Sequence, residues 1–446
     1  MSVDERILER IRPTPEEEAR LSKVVRELLS KIDASLHVRG WDAKPILVGS
    51  VAKGTHLTGT EADIFVAFPP DLPRADLEAR GLALGELLER GVHMYAEHPY
   101  TRGWYGGFEV EIVPCYRVLD ASQRMSAVDR TPLHADYVLG RLKEGQADEV
   151  RLLKAWAEGI GVYGAEAKVR GFSGYLCELL VLRFGGFRRV LEESLSWHAG
   201  TVVELDRHAA KPFPDPLVVI DPIDERRNVA SAVSSDQLAT FVHAAREYLR
   251  APSERFFFPR PLKPLSAQRL QAVVRRRGSV PVAIAVPLPN VTDDVLYPQL
   301  RKAHRSLEDL FRRHDFRAHD SRFDVAGDEA VFLFELAVAS LPRVMRHEGP
   351  PVWVRNAKEF LDKWTRNPRT LAGPYISGDR WAVDVARDAI DVASLLRRSR
   401  KALSLGKDLD KAAKKSMKVL VGPKALRASY SAAWTRLLDK RFPWQR

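Results

Sequence analysis

Apolar and polar positions along the first part of the chain fall into two periods, one helical and one extended. Thr14-Pro15-Glu16-Glu17 opens a helix: Thr14 caps, Pro15 takes the first helical position and Glu17 completes a capping box. This helix is expected to run to Ile32. Pro45-Ile46-Leu47-Val48 is a short apolar strand, followed by Gly49-Ser50 and a short turn of helix. Residues 61–68 read as a strand with acidic residues at its start, ended by Pro69, Pro70 and Pro73. Residues 74–90 read as an amphipathic helix, and 108–113 as a strand stopped by Pro114. Strand, Gly-Ser turn, helix, strand, helix, strand is an α/β arrangement over roughly residues 35–140.

The pattern then changes. Residues 140–255 are expected to be mostly helical, with helices at 149–158, 174–184 and 235–249. The stretch 252–264 carries Pro252, Pro259, Pro261 and Pro264, too many for a helix, and reads as a linker. Beyond it, 279–286 is strand-like, 295–312 helical and 329–340 strand-like, which suggests a small α+β domain. The last hundred residues read as helical and basic. The whole is an α+β multidomain chain, divided at 1–140, 141–255, 256–380 and 381–446.

Length agrees with several domains: 446 residues exceed one typical domain of about 100–200 residues. No run of about 18 apolar residues is present, so no membrane span is expected. The charged start, Asp4-Glu5-Arg6 onwards, is no secretory signal. Cys115 and Cys177 lie far apart and imply neither a zinc site nor a disulfide scaffold, so a reducing, cytoplasmic location is the expectation. Charge adds more. The chain carries 70 Lys and Arg against 59 Asp and Glu, a net +11 that suits a polyanionic partner. Residues 397–427 hold eleven basic and two acidic residues. With Leu395, Leu396, Leu403, Leu405 and Leu409 as an apolar stripe, they read as a basic amphipathic helix suited to RNA or a membrane surface.

The chemistry concentrates in the first 140 residues. Side chains two apart on a strand share a face, so Glu61 and Asp63 point the same way while Ala62, Ile64 and Val66 can bury. Two carboxylates on one face repel unless a cation lies between them, and a hard divalent ion with oxygen ligands, such as Mg²⁺, is the natural occupant. A third carboxylate from a neighbouring strand would complete a two-metal site for in-line displacement. Glu109 and Glu111 share one face of the 108–113 strand, and periodicity does not choose between them. Gly49-Ser50 lets backbone approach a ligand and offers a hydroxyl and N–H groups to a phosphate, with Lys53 close by. Either motif alone is usually a plain turn or a solvated strand edge. Together at this spacing they are specific.

Gly49-Ser50, Glu61-x-Asp63 and a third carboxylate on a later strand resemble the polymerase β nucleotidyltransferase superfamily. Further blocks narrow the resemblance: Tyr95-Ala96-Glu97-His98-Pro99-Tyr100, Glu111-Ile112-Val113-Pro114-Cys115-Tyr116, Ser126 to Pro132, Glu149 to Lys154, Val169-Arg170-Gly171-Phe172-Ser173-Gly174-Tyr175-Leu176 and Asp221 to Val229. Together they are similar to the archaeal-type (class I) CCA-adding enzymes, from Arg39 to Trp381.

The resemblance implies a polymerase-β-like head of mixed sheet and helices, a helical neck, a small α+β body and a helical basic tail. It implies that Glu61, Asp63 and Glu111 hold two Mg²⁺ ions and serve catalysis, choosing Glu111 over Glu109. It implies nucleotide contacts from Gly49, Ser50, Lys53, His134, Lys154, Tyr163 and Arg227, with Arg227 reading the base, and tRNA contacts from Tyr95 and Ala96. Two positions depart from the family pattern. Glu111 stands where Asp is common, and Lys53 where Arg is usual, keeping the charge but losing bidentate geometry. The implied activity is untemplated addition of C, C and A to the 3′ end of tRNA from CTP and ATP, with release of pyrophosphate; body and tail would hold the tRNA, and family members often form homodimers. The alternative is another RNA 3′-terminal transferase, such as a poly(A) polymerase, or an enzyme adding only part of CCA. Read from the residues alone, Lys154 is an ordinary exposed lysine, Tyr163 a loop aromatic, His134 a structural histidine and Arg227 a partner for Asp221, Asp224 or Glu225.

Overall fold

The computed structural model describes residues 2–95 and 98–446. The chain forms two compact units, Met1–Arg260 with Phe442–Arg446, and Pro261–Arg441.

The first unit opens with helices α1 (Val3–Ile11) and α2 (Pro15–Arg39). Thr14 caps α2 as expected, its hydroxyl accepting the Glu17 N–H. Glu17 reaches back to the Thr14 backbone N–H. Its carboxylate also accepts from Thr58 Oγ1 and the Gly59 N–H in the loop ahead of the carboxylate strand. The helix also runs past Ile32, because nothing breaks it before Gly40, which takes the left-handed conformation that ends it.

There follow β1 (Lys44–Val48), the single turn α3 (Gly49–Ala52), β2 (Ala62–Phe68), α4 (Arg74–Gly85), β3 (Glu89–Tyr95), β4 (Pro99–Tyr105) and β5 (Phe108–Tyr116). The five strands form a mixed sheet in the order β1-β2-β5-β4-β3, with β2 and β5 parallel and the other neighbours antiparallel. Two expectations are corrected. The helix from Arg74 stops at Gly85, short of Arg90, because β3 starts at Glu89. Pro114 does not stop β5, which continues to Tyr116. Pairing with β4 ends at Ile112, so at Pro114 the strand keeps only β2 as neighbour and the missing N–H costs no bond on the other side. One sheet face buries Ala62, Ile64 and Val66 under Leu21, Val25 and Leu28 of α2 and Leu77 and Leu84 of α4. The other face buries Phe65, Ala67 and Val113 with Ala135 of α5 (Arg130–Leu139). Asp63 belongs to this second face by alternation.

The rest of the unit is α6 (Gln146–Gly159), α7 (Gly174–Phe184), α8 (Phe187–Ser194), a sheet of β6 (Thr201–Val203), β7 (Leu217–Asp221) and β8 (Asp224–Asn228), and α9 (Ser235–Arg250). α6, α7 and α9 match the expected helices; α8 and the small sheet are additions to them. The proline-rich stretch is a plain linker only in part: Phe256 and Phe257 are buried in the first unit's core, and Trp444 stacks on Phe256.

The second unit holds α10 (Ala267–Arg277), β9 (Val280–Pro287), α11 (Asp293–Arg313), β10 (Ala318–Ala326), β11 (Glu329–Leu336), β12 (Val344–Pro351), α12 (Ala357–Thr365), β13 (Thr370–Ser377), β14 (Arg380–Ala386), α13 (Val392–Ser399), α14 (Lys407–Lys415), β15 (Lys418–Val421) and α15 (Ser431–Leu438). An antiparallel sheet, β10-β11-β9-β15, is packed on both faces, and β12-β14-β13 forms a second sheet under α12. The last hundred residues are therefore not all helical, and 380/381 falls at the start of β14, not between elements. The basic stretch 397–427 is not one amphipathic helix. Gly406 and Ser416 bracket the short α14, and β15 follows. Its leucines, from Leu395 to Leu409, are buried against the sheet, while Lys401, Lys407 and Lys414 remain exposed. Among the described residues no helix is long and apolar enough to cross a membrane.

Candidate active site

All the expected site residues that are described lie in the first unit. Ala96 lies outside the described residues; Tyr95 is the last residue of β3. The others gather into three groups around three carboxylates.

The first group forms where β1, β2 and β5 run side by side. Glu61 immediately precedes β2 and is exposed. Asp63 stands directly opposite Glu111 in the parallel register, which sets these two carboxylates on adjacent strands. Gly49, with φ +69°, packs on Asp63: a Cβ there would lie 1.9 Å from Asp63 Oδ2, so no other residue fits without moving the carboxylate. Burial, then the charges of Glu111 and Glu61, push the Asp63 carboxyl up to about 7, despite Lys53 and Arg102 nearby. Burial likewise raises Glu111, against the pull of Arg102. Arg102 Nε donates to Glu111 Oε1 at 2.7 Å. Among the described residues no three His, Cys, Asp or Glu side chains are gathered closely enough to hold a metal ion as they stand. The donor set nevertheless fits a hard divalent cation: it offers carboxylate oxygens only, and burial, then like-charged neighbours, oppose ionisation of Asp63, an opposition that a nearby cation would relieve.

The second group surrounds Glu178 of α7, which is fully buried. It accepts from Lys53 Nζ at 2.5 Å, Thr55 Oγ1 at 2.7 Å and Lys154 Nζ at 3.1 Å. Burial alone would raise this carboxyl, but Lys154 and Lys53 outweigh it and hold it low. Lys154 also donates to the Thr55 carbonyl at 3.2 Å, and is buried rather than exposed. The Tyr163 hydroxyl and Lys154 both pack against Gly174, where a Cβ would sit 3.0 Å from one and 3.4 Å from the Cε of the other. Burial raises the Tyr163 phenol, so it stays an O–H at neutral pH. Ser50 lies half-buried on α3.

The third group surrounds Asp221 at the end of β7. Its Oδ2 lies 2.9 Å from His134 Nε2 and accepts from Arg227 Nη1 at 2.7 Å. Burial opposes ionisation of Asp221, yet His134 and Arg227 take it down to about 2. Burial in turn lowers His134. Arg227 thus does pair with Asp221, as ordinary electrostatics suggested, and the same pairing holds it beside His134. Tyr175 lies between the second and third groups: its ring is 4.1 Å from the His134 ring, and Lys53 Nζ is 5.8 Å from its centroid.

Three consecutive family models match this chain. They are a nucleotidyltransferase domain over 21–134, the second domain of tRNA nucleotidyltransferase over 148–258, and the C-terminal domain of CCA-adding enzyme over 277–422. Curated relatives named CCA-adding enzyme include that of Thermoplasma acidophilum, 40% identical over 94% of this chain and 95% of its own. Those of Haloarcula marismortui and Methanoregula boonei are 41% and 40% identical, covering 93% and 86% of this chain and 92% and 84% of their own. The chain belongs to the CCA-adding enzyme family. It is a nucleotidyltransferase, and domains of this type generally use a divalent metal and nucleoside triphosphates.

The family pattern pointed to the cations of this site but not to the groups that hold them. Glu178 could have been found: it is a lone carboxylate within the apolar helical run Leu176-Cys177-Glu178-Leu179-Leu180-Val181. From the sequence Asp221 reads only as a possible partner for Arg227. Arg102 gave no signal, since its meeting with Glu111 depends on the register of two antiparallel strands.

Proposed function

We propose that this protein adds CCA to the 3′ end of tRNA, two C and one A, from CTP and ATP. The observation that carries this reading is the grouping of the three sets of side chains in one unit: adjacent carboxylates, a lysine pair on Glu178, and a buried histidine and arginine on Asp221. Bound at Glu61, Asp63 and Glu111, two Mg²⁺ ions would supply Lewis-acid activation and charge neutralisation for in-line nucleotidyl transfer. Lys53 and Lys154, with Ser50 and Tyr163, contact the triphosphate. With Glu178 between them the two lysines leave one net positive charge already set in place, so little reorganisation is needed when negative charge builds up towards pyrophosphate. Arg227 and His134 face the base, and Asp221 fixes their orientation. Gly49 keeps backbone close to the reacting phosphate.

On the same reading, residues 1–140 act as catalytic head, 141–255 as neck and 256–446 as the body and tail that hold the tRNA, with Tyr95 and Ala96 touching its end. Lys302, Arg400, Lys401, Lys407 and Lys414 line a cavity of about 710 Å³ in the second unit, a surface suited to phosphates. Action in the cytoplasm and assembly as a homodimer belong to this proposal. The test is to supply a tRNA lacking CCA with Mg²⁺, CTP and ATP. Extension by three nucleotides is expected. Failure of a folded protein to extend it, or unlimited A addition without use of CTP, would sink the reading.

A further inference from the structure

One cation sits inside the carboxylate group that the proposed reaction does not use. Arg102 of β4 stands directly opposite Glu111 of β5, and Glu111 stands directly opposite Asp63 of β2. Three consecutive strands thus present arginine, glutamate and aspartate in one row across the sheet. Arg102 Nε and Nη2 both reach Glu111 Oε1, at 2.7 and 2.5 Å, and Nε is 3.8 Å from Glu109. Both bonds to Glu111 end on Oε1, so the guanidinium neutralises Glu111 through one oxygen. Asp63 makes no such pair among the described residues and feels Glu111 and Glu61 more than Lys53 and Arg102.

Freedom to move is unequal across the row. Asp63 is backed by Gly49 with no room for even a Cβ between them. The Glu111 side chain is 13% exposed and that of Arg102 38%, so of this pair the arginine has the more open path to solvent. A cation paired with a carboxylate offsets its negative charge and competes with a metal for its oxygens, which subtracts from metal affinity.

We infer that Arg102 is a built-in counter-ion of the carboxylate group, which pairs with Glu111 through Oε1 and competes with a divalent ion for that carboxylate. Arg102 thereby sets the divalent-ion concentration at which the site fills. The inference rests on the reading that Glu61, Asp63 and Glu111 hold a divalent ion. The length of Glu111 belongs to the same device: the extra methylene relative to Asp extends its carboxylate towards the neighbouring strand.

The test is Mn²⁺ binding to the full-length protein without nucleotide or RNA, read as free Mn²⁺ by electron paramagnetic resonance. Arg102→Gln is expected to bind Mn²⁺ about fivefold more tightly than wild type, the scale of losing one partly exposed ion pair. Arg102→Lys keeps the charge without the planar fork and is expected between the two; it also keeps the test open if the neutral variant does not fold. Unchanged or weaker Mn²⁺ binding in these variants overturns the inference, since Arg102 would then be orienting Glu111 for the metal. Asp63→Asn separates the two claims. If it binds Mn²⁺ as wild type does, or if wild type binds none, the metal reading of the carboxylates fails and the inference with it.

Discussion

The surroundings of Asp63 oppose ionisation of its carboxyl. Its carboxyl is held at about 7, against an ordinary value of 3.8, by burial and by Glu111 and Glu61. Between these two values the folded protein keeps a proton that the unfolded chain has released. The stability this contributes is therefore present at low pH and is lost as pH rises through about 7. The stability of the protein without metal, relative to Asp63→Asn, which cannot titrate, should accordingly fall between pH 5 and pH 8. Thermal melts in the presence of a chelator check this; equal slopes for the two proteins would contradict it. Gly49 acts at the same scale. Its role is to leave space, and any side chain there meets the Asp63 carboxylate.

At the scale of elements, α3, α6 and α7 are joined by one buried carboxylate. Lys53 follows α3, Lys154 lies on α6 and Glu178 on α7, and the two ammonium groups share the one acceptor residue. Replacing Glu178 by Gln leaves two buried lysines without a counter-charge, which costs about 3 kcal/mol or more. Chemical denaturation should show a loss of that order; a change under about 1 kcal/mol would mean that water already screens the group.

The same helices show what could be read from the chain and what could not. α7 and α9 were legible nearly to the residue because strong apolar periodicity, a serine cap and glycine or proline near their ends agree. β2 was legible because Asp63 alternates with Ala62 and Ile64. The choice between Glu109 and Glu111 was not, since it depends on how β5 aligns with β2, a long-range register that alternation leaves open. The 397–427 stretch misled for a related reason. Its leucines do bury, but Gly406 and β15 divide them among separate elements that share one core.

Across the whole molecule, the net charge of +11 finds a use in a polyanionic substrate. The basic residues of 397–427 divide labour with the leucines, which anchor the stretch while Lys401 and Lys407 stay exposed at the mouth of the basic cavity. Changing both lysines to Gln should weaken binding of different tRNAs alike and reduce the steepness of log affinity against log salt by about two. An unchanged salt slope would remove this surface from the tRNA path. The most direct test of the central claim is the ladder of products on a tRNA lacking CCA, resolved at single nucleotides, with CTP alone, ATP alone and both. The account predicts two added C with CTP alone, and a terminal A after them, stopping at three nucleotides, only when ATP is also present. A long A tail from ATP alone, or an equal response from unstructured RNA, would contradict it.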